Sequence, residues 1–186
     1  IISSVPKDAG ILIVTDGVFS MGGDIAKLPE IVEIAKKYGA RVMVDDAHAL
    51  GVIGEGGRGT ASYFGLENEV DIYMGTFSKS LASLGGYMAG SKAVCDYVRH
   101  NSRPFIFSAS ITPASCASTI AALRVLKRHP ELVDNLQSIA EYMRTCLTEK
   151  GVKIRISKTP IIPIYTYDFI RTLTINKSCL LYTSPS

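Results

Sequence analysis

The first half of the chain alternates short apolar runs with an amphipathic segment. Residues 11–15 and 41–45 are rich in apolar side chains, which is typical of strands that are covered on both faces. Between them, residues 28–38 carry apolar side chains at helical spacing, with Pro29 in the first turn and Gly39 after the last. This order predicts one βαβ unit, with two parallel strands and a right-handed crossover.

The pattern predicts further strands and helices beyond this unit. Residues 70–74 and 86–90 predict two strands, and residues 152–156 and 161–165 are short strand-like runs. Helices are predicted at 91–101, 112–128 and 131–150. The change from alternating elements to a long helix near 130–150 predicts a domain boundary. Residues 178–186 continue no pattern, which indicates a truncated or artefactual tail.

Composition excludes several classes of protein. The chain has 186 residues, of which 47% are hydrophobic and 20% charged, so it can form a core and is not disordered. No apolar run approaches the roughly 20 residues of a membrane span. The net charge is +3 and the basic residues are scattered, which argues against nucleic acid as a partner. The first residues have neither an initiator Met nor a signal-peptide layout, so we expect a segment of a longer protein. A reducing cytoplasm is the expected location by default.

The four cysteines are widely spaced. Cys95, Cys116, Cys146 and Cys179 form no Cys-x-x-Cys pair, which argues against a zinc site and against a disulfide scaffold. This spacing again favours a reducing compartment.

Polar side chains follow three of the predicted strands. Residues 16–20 follow the first strand, Asp45 and His48 follow the second, and residues 76–79 follow the third. Ligands bind beyond the carboxyl ends of the strands in open parallel sheets. We therefore expect these three groups to lie along one edge of the sheet.

Each group also has a simpler interpretation. Asp45 alone is often a residue that caps the next turn, and His48 alone is often a structural histidine. Asp45, Asp46 and His48 lack the further ligands of a metal site, so no metal is predicted. The glycine-rich loop 54–59 has neither a Walker lysine nor the dinucleotide spacing, which favours an irregular turn over a nucleotide-binding module.

Lys79 lies in a loop of small residues, with hydroxyls at Thr76, Ser78 and Ser80. This setting predicts a partly desolvated amine beside a phosphate, which is a suitable nucleophile for a Schiff base. Together with Asp45, it fits pyridoxal 5'-phosphate (PLP), which needs a lysine, an acid for its pyridine nitrogen and donors for its phosphate.

Five segments in this order resemble the α-oxoamine synthases, a family that includes 8-amino-7-oxononanoate synthase and serine palmitoyltransferase. They are TDGVFSM at 15–21, VDDAH at 44–48, GGRG at 56–59, GTFSK at 75–79 and SRPFIFSAS at 102–110. The resemblance implies a three-layer α/β/α fold, the fold type I of PLP-dependent transferases, which is aspartate-aminotransferase-like. Residues 1–130 would then be the C-terminal half of the large PLP-binding domain, and residues 131–177 the start of the small C-terminal domain.

The same resemblance implies roles for residues around the ring of the cofactor. Lys79 would form the Schiff base and Asp45 would pair with the pyridine nitrogen. His48 and Ser20 would hold the ring hydroxyl. Lys79, Asp45 and His48 are thus the implied catalytic residues.

Other residues would bind the phosphate of PLP. Thr76 and Ser78 would lie near the phosphate of their own subunit. Ser108 and Ala109 would reach the phosphate of the partner, because the family builds shared active sites in a homodimer. The ring-stacking histidine and the arginine for the substrate carboxylate would lie outside this chain, so we expect the chain alone to be inactive.

The implied activity condenses an amino acid with an acyl-CoA to give an amino ketone, CoA and CO2. The loops fit both the serine palmitoyltransferase-like and the 8-amino-7-oxononanoate synthase members. One alternative is a class I/II aminotransferase of the same fold, which would use Asp45 and Lys79 too. Another is a non-catalytic partner subunit, against which the presence of Lys79, Asp45 and His48 argues.

Overall fold

A computed structural model describes residues 4–6 and 8–183 of the chain. Its four strands form one sheet in the order β1 (Leu12–Asp16), β2 (Arg41–Asp45), β3 (Ile72–Thr76) and β4 (Gly86–Gly90). The first three strands are parallel and β4 is antiparallel to β3. The parallel pair predicted from the first βαβ unit is therefore confirmed.

Helices account for much of the remaining described chain. They are α1 (Leu28–Tyr38), α2 (Thr60–Phe64), α3 (Lys92–Asn101), α4 (Arg103–Phe107), α5 (Pro113–Arg128), α6 (Glu131–Glu149) and α7 (Phe169–Thr183), with a short 3₁₀ helix at Glu55–Gly57. The predicted helices agree with α1, α3, α5 and α6 to within a residue or two, whereas α2, α4 and α7 were not predicted. Residues 169–182 of α7 are all exposed. Because the helix buries no face, its sequence has no amphipathic pattern from which it could be predicted. Of the predicted tail, residues 178–183 are helical and residues 184–186 lie outside the described residues.

Two strand predictions need correction. β3 begins at Ile72 rather than at residue 70, because Val70 packs into the core before the strand starts. The runs 152–156 and 161–165 form no strands in the described chain and meet only in a bridge between Ile154 and Ile164. Pro160 and Pro163 lack the N–H groups that a ladder needs.

The core lies between α1, α2 and one face of the sheet. Leu28 and Val32 of α1 pack against Val42 and Val44 of β2. On the opposite face of β1, Leu12 is 50% exposed and Val14 is 59% exposed. The prediction that the first strand is covered on both faces is therefore wrong for the described residues, which cover it with helices on one face.

The length and polarity of the helices bear on whether they could span a membrane. Within residues 4–6 and 8–183, none is long and apolar enough to cross a bilayer.

Candidate active site

The carboxyl ends of the parallel strands meet at one edge of the sheet. The register sets Asp16 opposite Asp45, and Asp45 opposite Met74. Beyond the strands, the N–H of Gly17 donates to the carbonyl oxygen of Asp45 at 2.8 Å, and the N–H of Asp46 donates to that of Met74 at 2.8 Å. The three predicted polar groups therefore leave the sheet side by side.

Asp45 is half-buried at the end of β2. Its Oδ1 accepts a hydrogen bond from the N–H of Ala47 at 2.9 Å, which closes the turn that leads to His48. The carboxylate thus caps the turn, as its simpler interpretation expects. The same bond holds the carboxylate in a fixed orientation at the edge of the sheet.

His48 is half-buried in that turn and is electrostatically linked to the lysine loop. Burial lowers the pKa of His48, and the positive charge of Lys79 lowers it further. The negative charges of Asp16 and Asp45 act in the opposite direction on the same pKa. An amine, an imidazole and two carboxylates therefore share one electrostatic environment.

The loop that carries Lys79 is held by backbone hydrogen bonds. The N–H of Phe77 donates to the carbonyl oxygen of Gly85 at 2.9 Å, and the N–H of Ala82 donates to that of Lys79 at 3.0 Å. Residues 78–80 are all exposed, so the prediction of a partly desolvated lysine is wrong for this chain. The physical reason is that the described residues leave Lys79 open to solvent beyond the end of β3.

Thr76 and Ser78 differ in their surroundings. Thr76 is the last residue of β3, and its Oγ1 is buried without a hydrogen-bond partner in the described chain. A buried hydroxyl without a partner is costly and indicates a site for a further polar group. Ser78 is exposed.

Ser20 lies exposed in the loop after β1. A distant part of the chain braces this loop. The Thr159 hydroxyl is fully buried and donates to the carbonyl oxygen of Gly23 at 2.9 Å, and Arg155 forms an ion pair with Asp24 at 2.8 Å. No motif in the sequence pointed to these contacts, because their partners are more than 130 residues apart.

Ser108 and Ala109 follow α4 and are both exposed. No hydrogen bond in residues 8–183 joins either of them to Lys79, Asp45 or His48. The structure therefore brings the three predicted polar groups together at the sheet edge, whereas the predicted contact of Ser108 and Ala109 with a partner subunit stays a prediction. Likewise, no group of three or more His, Cys, Asp or Glu side chains in the described part of the chain could hold a metal ion.

Two structural features of the site were not predicted. The Phe77 and Tyr87 rings stack beneath the lysine loop, with centroids 5.9 Å apart. Asp46, considered from the sequence only as a metal ligand, is instead a buried carboxylate that accepts the N–H of Thr60 at 3.0 Å. Burial alternates along β2, with Val42 and Val44 buried, and Asp46 continues this alternation one residue beyond the strand, which separates it from Asp45.

Known proteins resemble the chain over most of its length. The family model for aminotransferase class I and II matches residues 2–174. Serine palmitoyltransferase from Sphingobacterium spiritivorum is 52% identical over 176 residues, which are 95% of this chain and 44% of that protein. 8-Amino-7-oxononanoate synthase 1 from Bacillus subtilis (strain 168) is 54% identical over 157 residues, 84% of this chain and 40% of that protein.

A solved structure is also similar. It is a serine palmitoyltransferase variant from S. paucimobilis with a bound PLP–myriocin aldimine, 36% identical, with a TM-score of 0.84 over 90% of this chain and 44% of that one. The chain thus spans less than half the length of the relatives that it matches. These findings confirm the resemblance to the α-oxoamine synthases and the fold type I architecture. The chain belongs to the aminotransferase class I and II family.

Proposed function

We propose that this chain is the part of a PLP-dependent acyl-CoA:amino acid C-acyltransferase that carries its reactive lysine. The enzyme would condense an amino acid with an acyl-CoA and release an amino ketone, CoA and CO2, as a serine palmitoyltransferase or an 8-amino-7-oxononanoate synthase. The register of β2 against β3 carries the proposal. It sets Asp45 beside Met74, and β3 ends two residues later where the lysine loop begins, so the loop would lie next to the Asp45 carboxylate.

The residues at this edge fit PLP. Lys79 supplies an amine, Asp45 a carboxylate and His48 an imidazole, and the buried Thr76 hydroxyl lacks a partner in the described chain. These are the groups that the aldehyde, the pyridine nitrogen, the ring hydroxyl and the phosphate of PLP require. When bound, PLP supplies an electron sink that stabilises negative charge at the α-carbon of the amino acid.

Each of the three catalytic candidates would handle a proton. Lys79 Nζ would anchor the cofactor and, once released by the incoming amino acid, accept the α-proton as a general base. The Asp45 carboxylate would hold a proton on the pyridine nitrogen, with its orientation fixed by the Ala47 N–H. His48 has a lowered pKa, so a neutral imidazole would donate to the ring hydroxyl, next to Ser20, without adding a charge.

The remaining candidates would complete the phosphate site. Thr76 and Ser78 would donate to the phosphate from within the chain. Ser108 and Ala109 are exposed, which fits a contact with a second copy in a homodimer. We also propose a cytoplasmic location, because Cys95, Cys116 and Cys146 are not in disulfides.

Borohydride reduction of the full-length protein with PLP tests the cofactor and the lysine together. We expect mass spectrometry of the digest to find a pyridoxyl group on Lys79, and none in Lys79→Arg. Lys92→Arg, at an exposed lysine on α3, is the matched control and should keep the modification. An unmodified Lys79 in folded, PLP-saturated protein contradicts the proposal and favours a non-catalytic partner subunit.

Release of CoA distinguishes the acyltransferase from an aminotransferase. The aminotransferase remains a second candidate because Asp45 and Lys79 would serve it equally and the family model includes that class. We expect free thiol from CoA when an amino acid and an acyl-CoA are added together. Turnover that instead requires a keto acid and releases no CoA would establish the aminotransferase.

A further inference from the structure

Asp46 is a buried carboxylate directly behind the proposed site. It follows Asp45 in the sequence but is only 2% exposed. Its Oδ2 accepts the N–H of Thr60, the first residue of α2, at 3.0 Å. Its Oδ1 has no hydrogen-bond partner among the described residues.

Two glycines leave the space that this carboxylate fills. A Cβ atom at Gly17 would lie 2.1 Å from Oδ1 of Asp46, and one at Gly59 would lie 2.2 Å from Oδ2. Gly17 belongs to the loop that leads to Ser20, and Gly59 ends the glycine-rich loop. The Thr60 hydroxyl lies at the same 2.1 Å from the Cβ position at Gly17, whereas at Gly59 the nearest atoms are all from Asp46. The two loops are therefore shaped around the Asp46 carboxylate, with Thr60 sharing the space at Gly17.

The backbone of Asp46 also starts the turn that carries His48. Its carbonyl oxygen accepts the N–H groups of Ala49 at 3.0 Å and Leu50 at 2.9 Å, and its own N–H donates to Met74. One residue therefore links the ends of β2 and β3 to the His48 turn through its backbone. Through its side chain it links the same turn to α2.

Burying the Asp46 carboxylate costs free energy that the stability of the fold does not require. Burial raises the pKa of Asp46 and the charge of Asp45 raises it too, whereas hydrogen bonding from Thr60 offsets part of the effect. An apolar side chain of similar volume would avoid this cost. The expense is consistent with a role in holding the neighbouring site rather than in stability.

We propose that Asp46 is a positioning residue, whose carboxylate anchors α2 and the two glycine loops to the end of β2 and so fixes the backbone that presents Asp45 and His48 to the cofactor. It acts through these two residues and touches neither cofactor nor substrate. The inference rests on the proposed function, because it names what Asp46 orients.

The test uses the full-length protein with PLP and a matched pair of acidic residues. Asp71 is the control, since its Oδ2 also accepts a backbone N–H, that of Val42 in β2 at 2.8 Å, but at the opposite end of the sheet. We compare Asp46→Ala, Asp46→Asn, Asp71→Ala and Asp71→Asn. The readouts are the dissociation constant of PLP by absorbance titration, the amide hydrogen exchange of residues 45–50 without PLP, and the Tm.

We expect Asp46→Ala to weaken PLP binding by about 10- to 100-fold, the effect typical of residues that orient ligand-binding groups. Exchange should also become faster at residues 45–50. Asp46→Asn retains an acceptor for the Thr60 N–H and should restore most of the affinity. Asp71→Ala should lower the Tm and leave both the PLP affinity and the exchange of residues 45–50 unchanged.

A second pair of variants covers the case in which Asp46→Ala does not fold. Thr60→Pro removes the N–H that Asp46 accepts from the backbone together with the threonine hydroxyl, at a first helical position where proline fits. Thr60→Ala removes the side chain and keeps that N–H. We expect Thr60→Pro to reproduce the loss of PLP affinity and the faster exchange, and Thr60→Ala, which keeps the N–H, to show a clearly smaller loss, so that the difference between the two variants measures the N–H.

Different results overturn different claims. Wild-type protein that binds no PLP overturns the proposed function and this inference with it. Wild-type protein that binds PLP, while Asp46→Ala or Thr60→Pro retains full affinity and slow exchange, overturns the inference alone. Equal losses of PLP affinity in Asp46→Ala and Asp71→Ala, at equal losses of Tm, also overturn it, because a general structural effect would then suffice.

Discussion

The Ser80 hydroxyl donates a hydrogen bond to the carbonyl oxygen of Leu50 at 2.6 Å. This bond joins the loop of Lys79 to the turn of His48. Its two partners, Ser80 and Leu50, are 30 positions apart in the sequence. Gly51 makes the approach possible, since a Cβ atom there would lie 2.8 Å from both Cβ and Oγ of Ser80. The spacing between the lysine loop and the His48 turn is thus constrained by a contact outside both strands.

Removal of this hydroxyl should loosen the lysine loop. We expect Ser80→Ala to lower the free energy of unfolding by about 1 kcal/mol or less and to weaken PLP binding by up to about fivefold. Chemical denaturation and a PLP titration of the full-length protein measure the two effects. Ser138→Ala is the control, because its hydroxyl also donates to a backbone carbonyl, that of Asp134, within exposed α6. Equal PLP affinity in wild type and Ser80→Ala would show that the bond does not constrain the site.

The charge of Asp45 can be separated from its hydrogen bond. Asp45→Asn keeps an oxygen for the Ala47 N–H and removes the negative charge that would hold a proton on the cofactor. We expect an unchanged Tm and a loss of about 100-fold or more in turnover, the scale of losing one preorganised electrostatic partner. CoA release measures turnover. Asp16→Asn, at the exposed carboxylate opposite Asp45 in the register, should keep most of the activity; similar losses in both variants would contradict a specific role for Asp45.

Local pattern was sufficient to predict the four strands of the sheet and the edge at which the candidate residues meet, but it also predicted two strands, at 152–156 and 161–165, that do not form in the described chain. The apolar runs around residues 13 and 43 fixed two parallel strands, and the position of Asp45 at a strand end followed from them. The start of β3 was predicted two residues too early because Val70 is apolar. An apolar side chain fits either a strand or, as here, a core position before the strand. An apolar run does not distinguish these two environments.

Contacts between distant segments could not be predicted in this way. The Thr159 hydroxyl donates to the carbonyl oxygen of Gly23, 136 residues away. The spacing of apolar residues within one helix or strand carries no information about such a distant pair. Similarly, the sequence identified Asp46 only as the second acidic residue of a pair and did not predict that it is buried. Its burial became evident once the space left by Gly17 and Gly59 was known.

The one-sided core makes a separate prediction about stability. Leu28 is fully buried at the start of α1, whereas Leu132, near the start of α6, is 47% exposed. We expect Leu28→Ala to reduce the free energy of unfolding by about 2–5 kcal/mol, because it removes buried methyl groups and leaves a cavity. Leu132→Ala should cost less than about 1 kcal/mol. Urea denaturation of both variants measures the difference, and equal costs would place the core elsewhere than between α1 and the sheet.

The lowered pKa of His48 predicts how stability changes with pH. Burial and the charge of Lys79 hold this pKa below its ordinary value of 6.5. Between the two values the unfolded state therefore binds more protons than the native state. The free energy of unfolding should fall as the pH decreases through 6.5, and this contribution should level off below the lowered pKa.

A difference between variants isolates this contribution. Buried Asp46 has a raised pKa, so its contribution has the opposite sign and is lost as the pH rises, but it is common to wild type and His48→Asn. We expect the stability of wild type relative to His48→Asn to decrease from about pH 7.5 to about pH 5, the range in which histidine titrates. Thermal unfolding across this range measures it, with His100→Asn, at an exposed histidine on α3, as the control. If the stability of His48→Asn falls as steeply with decreasing pH as that of wild type, another titrating group causes the effect.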